Sequence, residues 1–123
     1  MRIDHINIGA PWDLLEEVKD FYCAILDLKV GARPNFSIRG YWLYGGDNAL
    51  VHLMERDKDF DTTSPRHLDH VAFSLEEQQP FIERLERLGI EYTVDYIPDF
   101  DISQVFCSDP CGNGVEANIK NSK

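Results

Sequence analysis

A chain of 123 residues, 43% hydrophobic and 28% charged, has the size and balance of one ordinary globular domain rather than a disordered segment. Twelve Lys and Arg against 22 Asp and Glu leave a formal net charge of −10, whose field repels nucleic-acid backbones and anionic membrane surfaces alike. With no stretch near the roughly 20 apolar residues of a membrane span, no apolar secretory core at the N-terminus, and three cysteines that cannot all pair, the expectation is a cytoplasmic domain with neither nucleic acid nor membrane as partner.

In chain order, the alternating run Ile-Asp-His-Ile-Asn-Ile at residues 3–8 predicts a strand. A helix follows, with Asp13 placed to cap it, Glu16 completing the capping pattern, and Leu14, Val18, Phe21, Tyr22 and Ile25 at helical spacing. Strands are expected over about 28–36, 40–45 and 48–55, with Gly45-Gly46-Asp47-Asn48 as a turn. The segment from Arg56 to Arg66, rich in Asp, Thr, Ser and Pro, reads as a surface connection.

The same order then repeats. Residues 68–73, Leu-Asp-His-Val-Ala-Phe, match residues 3–8 with an identical Asp-His pair. A second helix has Pro80 in its first turn, Phe81, Ile82, Leu85 and Leu88 as its apolar stripe, and Gly89 as its stop. Strands over about 90–97, 101–108 and 113–120 complete the copy, with Asp109-Pro110-Cys111-Gly112 as a turn. The fold class is therefore α+β: one domain over 1–123, built from two tandem βαβββ modules at 1–56 and 67–120.

Side chains alternate across a strand, so the sheet faces can be sorted. Ile6 and Ile8 oppose His5 and Asn7; Val71 and Phe73 oppose His70 and Ala72. Val51 and Leu53 oppose His52, and Val115, Ala117 and Ile119 oppose Glu116 and Asn118. One face suits a helix, and the other carries a His or Glu. His5, His52, His70 and Glu116 thus hold equivalent positions in a twofold repeat, two from each copy. Three imidazoles and a carboxylate suit a borderline divalent metal such as Zn, Ni, Fe or Mn, with open positions left for water or a chelating substrate. His67 falls on the opposite side from His70 and receives no role. Cys107 and Cys111, in a strand and a turn, lack a second pair for a zinc site, and Cys23 reads as helix packing.

Four segments carry a family resemblance. They are Ile3-Asp4-His5-Ile6, Asp20-Phe21-Tyr22 with Ile25-Leu26-Asp27-Leu28, Leu68-Asp69-His70-Val71-Ala72-Phe73, and Asp109-Pro110-Cys111-Gly112-Asn113-Gly114-Val115-Glu116. Together they resemble the vicinal oxygen chelate superfamily, which holds glyoxalase I, extradiol dioxygenases, methylmalonyl-CoA epimerase and the fosfomycin and bleomycin resistance proteins. Arg33-Pro34-Asn35-Phe36, Gly40-Tyr41-Trp42-Leu43-Tyr44 and Val51-His52-Leu53 are similar to its glyoxalase-I-like subgroup. The resemblance implies a cupped mixed sheet with flanking helices, a homodimer, and metal ligands at His5, His52, His70 and Glu116.

It also implies a lyase or isomerase acting on a small substrate that chelates the metal through vicinal oxygens, with Glu116 as ligand and proton-moving base. Arg39, Tyr41, Trp42 and Phe106 are the expected substrate-binding residues. Glyoxalase I commonly has a glutamate where this chain has His52, and the cations available for an anionic substrate are Arg33 and Arg39, offset by Asp95, Asp99 and Asp101. One alternative is an extradiol Fe(II) dioxygenase with His5, His70 and Glu116 as ligands and His52 with Tyr41 or Tyr44 as acid and base. Another is a non-catalytic, bleomycin-binding type of protein whose Phe36, Tyr41, Trp42 and Phe106 stack a planar ligand.

Overall fold

The computed structural model describes residues 3–56, 68 and 70–122; the expected connection after Arg56, His67 and Asp69 lie outside the described residues. The chain divides into two compact units, Met1–Ser64 and Pro65–Lys123. The first contains β1 (Ile6–Ala10), α1 (Trp12–Leu26), β2 (Lys29–Gly31), β3 (Gly40–Gly45) and β4 (Asn48–Glu55). The second contains β5 (His70–Ser74), α2 (Gln78–Arg87), β6 (Thr93–Ile97), β7 (Ile102–Ser108) and β8 (Gly114–Lys120). Each is a βαβββ module with a four-stranded mixed sheet, ordered β1-β4-β3-β2 in one and β5-β8-β7-β6 in the other. The opening and closing strands of each module run parallel, and the remaining pairs are antiparallel.

Within the first unit, Leu15, Val18, Tyr22 and Ile25 of α1 are buried with Leu43, Val51 and Leu53 of the sheet. Removing each such side chain from water contributes about 1.5–3 kcal/mol, which holds the helix on one sheet face. Leu15, rather than the expected Leu14, sits in that stripe. The helix begins at Trp12 with Pro11 as its N-cap and no side-chain cap bond, so Asp13 lies inside the first turn. β2 is shorter than expected and stops before Pro34, which brings no N–H to a ladder.

The second unit is built alike on a ten-residue helix, with Phe81 and Leu85 buried beside Val105, Val115, Ala117 and Ile119. Pro80 occupies the first turn as expected. Leu88 is exposed rather than part of the stripe. Past it the chain turns at Gly89, with φ 68°, where Gly89 N–H donates to Glu86 O and Ile90 N–H to Leu85 O. That pairing satisfies the last helical carbonyls and needs the left-handed region glycine enters freely. Residues 90–92 precede β6 rather than belonging to it. Among the described residues no helix is long and apolar enough to cross a membrane.

Candidate metal and substrate site

β4 and β8 are the second strands of their sheets, each flanked by the module's opening strand and by the strand before it. The register makes Asn7 and Trp42 the cross-strand partners of His52, and Ala72 and Phe106 those of Glu116. His5 and His70 stand two residues before Asn7 and Ala72. Each module thus presents the same trio on the face away from its helix: an opening histidine, an inner donor and an aromatic neighbour. His5 itself precedes β1 rather than lying in it.

In the first unit the trio is a stack of rings. His52 lies between Trp42, with centroids 4.0 Å apart and planes 13° from parallel, and His5, at 3.8 Å and 9°. His52 is 9% exposed. Burial first and then the neighbouring His5 push its pKa down, which favours the neutral imidazole that a metal requires. Its Nε2 lies 3.1 Å from Ala49 O. A carbonyl only accepts, so Nε2 carries the hydrogen and Nδ1 keeps the lone pair in the neutral ring. His5 is more open, with Nδ1 2.8 Å from the Asp4 carboxylate, the partner that fixes a ligating tautomer. Two parallel rings 3.8 Å apart cannot aim in-plane lone pairs at one ion. His5 must therefore leave the stack before both could ligate.

The second unit holds its pair differently. His70 Nε2 stands 3.2 Å from Glu116 Oε1, with the ring edge-on to Phe106 at 5.9 Å. Glu116 is 3% exposed. Its other oxygen accepts from Asn118 Nδ2 at 3.0 Å and from Gln104 Nε2 at 3.4 Å, so the carboxylate is oriented on both sides. Adjacent ligands at bond lengths of about 2.1 Å lie about 3 Å apart, so the His70–Glu116 spacing fits two neighbouring ligands of one ion. Among the described residues, no three His, Cys, Asp or Glu side chains gather as a metal-binding group. The four expected ligands form two pairs, one per unit, and the donor chemistry of each fits a divalent ion.

The expected substrate residues part company. Trp42 and Phe106 lie beside the candidate ligands as described. Tyr41 and Arg39 do not, because alternation along β3 sends them to the helix side. Tyr41 donates its hydroxyl to Glu16 of α1, a bond that raises the phenol pKa, and stacks on Trp12 at 5.5 Å. Arg39 forks onto Glu55 at 2.6 and 3.0 Å and lies over the Trp12 ring. Glu55 is held below its ordinary pKa by that fork, so the guanidinium is already neutralised. Tyr44 is occupied too, donating to Ala32 O at 2.5 Å. Both tyrosine hydroxyls are therefore engaged away from His52.

A cavity of about 320 Å³ opens in the first unit beside His52, walled by Asn7, Arg33, Phe36, Trp42 and Met54. Phe106 borders an open depression of about 880 Å³ with Tyr92 and Cys107 in the second. Gln104 and Asn118, which orient Glu116, escape the sequence reading as functional residues. Alternation places Asn118 on the Glu116 face, but the β7–β8 register that brings Gln104 opposite it is set by a turn.

Two βαβββ modules, each showing an imidazole and a second donor on its helix-free face, define a paired-module α+β protein. The chain belongs to the Glyoxalase/Bleomycin resistance protein/Dioxygenase superfamily, whose sequence profile matches residues 2–117. Among solved structures it resembles a glyoxalase family protein from Bacillus anthracis, with 27% identity, TM-score 0.77, and 98% of this chain and 96% of that one covered. It likewise resembles a glyoxalase/bleomycin resistance protein/dioxygenase domain from Frankia sp. EAN1pec, with 26% identity, TM-score 0.72 and 98% of both chains covered. A lactoylglutathione lyase from Agrobacterium tumefaciens shares the fold at 21% identity and TM-score 0.67, over 96% of this chain and 92% of that one. No curated protein matches the sequence.

Proposed function

We propose that this protein is a divalent-metal-dependent, glyoxalase-I-like lyase or isomerase of the cytoplasm, acting on a small substrate that chelates the metal through two vicinal oxygens. The observation that carries the reading is the buried Glu116 carboxylate, 3.2 Å from His70 and oriented by two amides, at the position its module shares with the neutral His52. The residues that would hold the ion are His52 of one unit and His70 and Glu116 of the other, with His5 as a further donor once out of the ring stack. When bound, such an ion supplies Lewis acidity, polarising the substrate oxygens and stabilising negative charge that develops on them. Glu116 is the group we assign to accept the proton released from the substrate carbon, and the amides of Gln104 and Asn118 hold its second oxygen and so fix the carboxylate's orientation. Within its own unit, Trp42 covers one face of His52, and Phe106 packs edge-on against His70.

A second reading, non-catalytic ligand binding, is favoured by the Trp42–His52–His5 stack, which is an aromatic wall rather than a ligand set. Elemental analysis of the purified protein, followed by turnover assays with hemithioacetals and catechols, separates the readings. The expected result is a retained divalent metal and hemithioacetal turnover, both lost in Glu116→Ala. Ring cleavage of catechols with bound iron would transfer the site to dioxygenase chemistry, and absence of both metal and turnover would leave the binding reading. If His52→Ala keeps full metal content, His52 is not a ligand and the set reduces to two histidines and Glu116.

A further inference from the structure

We infer that Arg33 is the substrate-recognition residue of the His52 cavity, and that the cavity takes a small monocarboxylate with a flat apolar body. The inference rests on the proposed site in sharing His52, and adds the substrate class.

Three cations of the first unit have carboxylate partners. Lys19 pairs with Glu16, Lys29 with Asp27 and Arg39 with Glu55. Arg33 differs: among the described residues its partners are the Ile38 carbonyl, 3.0 Å from Nη2, and the face of Phe36, 4.8 Å from Cζ. Its Nε is buried and donates to nothing among them. The guanidinium packs across Gly40, where a Cβ would clash with the Leu53 carbonyl oxygen and stand 2.8 Å from Nη2. A positive charge is thus held at the wall of a cavity, with an unsatisfied donor and no carboxylate.

The rest of the wall sets the ligand's body. Phe36, Ile38, Trp42 and Met54 are apolar or flat, and about 320 Å³ is at the small end of ligand pockets, room for a single ring with short substituents. One guanidinium matches one negative charge, and the chain's net charge of −10 disfavours a polyanion. His52 lines the same cavity, so a ligand held at Arg33 shares its space with that imidazole.

The test uses Trp42 as reporter, in a Trp12→Phe background that leaves it the sole tryptophan. Benzoate, its neutral isostere benzamide and inorganic phosphate are titrated by fluorescence into protein stripped of metal, with metal content measured separately on protein as purified. Benzoate should bind at least about tenfold more tightly than benzamide or phosphate, and Arg33→Gln should remove that preference. Arg33→Lys should retain part of it, keeping the charge and losing the planar fork. Equal affinity for benzoate and benzamide overturns the inference without any substitution, as does tighter binding of phosphate or an unaltered preference in a folded Arg33→Gln. Absence of metal with the benzoate preference intact removes the metal reading and leaves this one standing. Retained metal without the preference does the reverse.

Discussion

Glu116 shows how much a single buried carboxylate asks of its neighbours. A charged group withdrawn from water needs donors, and Asn118 at 3.0 Å supplies one to a carboxylate that is only 3% exposed. Asn118→Ala should therefore cost about 1.5–3 kcal/mol of unfolding free energy, read by urea denaturation, and should weaken metal retention. Cys107 makes the complementary case. Burial, then nearby Asp109, pushes its thiol up to about 11 from the ordinary 9.0. A raised pKa means the unfolded chain ionises first, so the contribution is whole below pH 9 and is lost as pH climbs through about 11. The melting temperature of Cys107→Ala should fall less between pH 9 and 11 than that of the unsubstituted protein; parallel curves would show the thiol to be uncoupled from folding. The strand face taken by His52, His70 and Glu116 was legible at this scale because alternation and the repeat fix it. Tyr41 and Arg39 were misplaced because being near Trp42 in sequence puts a residue on the opposite face of β3.

Helix ends make the same contrast between the two modules. α1 stops at Asp27 with φ 54° and α2 turns at Gly89 with φ 68°, so each leaves its helix through the left-handed region. An L side chain pays about 1 kcal/mol there and glycine does not. Asp27→Gly should stabilise the protein by up to about 1 kcal/mol, because the Lys29 pair it gives up is exposed and worth little. Gly89→Ala should destabilise it by about 1 kcal/mol through backbone strain alone, since an added Cβ meets nothing within 4 Å. Thermal melts of the two variants, shifting in opposite directions, check both. Gly89 was legible as a stop because glycine advertises the conformation, whereas Asp27 hides it. The N-terminal cap of α1 was misread for a related reason. Asp13 and Glu16 have capping spacing, but Glu16 is drawn instead to Tyr41 and Lys19, a tertiary contact no local pattern contains.

For the whole molecule, the repeat made the two βαβββ modules legible, whereas the order of strands within each sheet comes from the structure. What the sequence leaves out is what lies against the modules' edge strands. β1 and β5 are the edge strands of their sheets, and Ile3 and Leu68, which precede them, are 85% and 73% exposed. An open edge with apolar side chains beside it is a template for pairing. We expect a homodimer in solution at twice the 14.2 kDa of the chain, reduced to the single-chain mass by Ile3→Asp with Leu68→Asp. Two copies each carrying −10 also repel one another across a Debye length of about 30 Å at 0.01 M salt, shrinking to about 8 Å at 0.15 M. Raising sodium chloride over that range should therefore tighten the dimer and raise its melting temperature, since the exposed ion pairs that salt weakens, such as Lys29–Asp27, contribute little. Sedimentation at both salt concentrations checks the sign: dissociation on adding salt would mean that charge pairs, not apolar edges, hold the copies together, and a single-chain mass at both would mean the edges need no second copy.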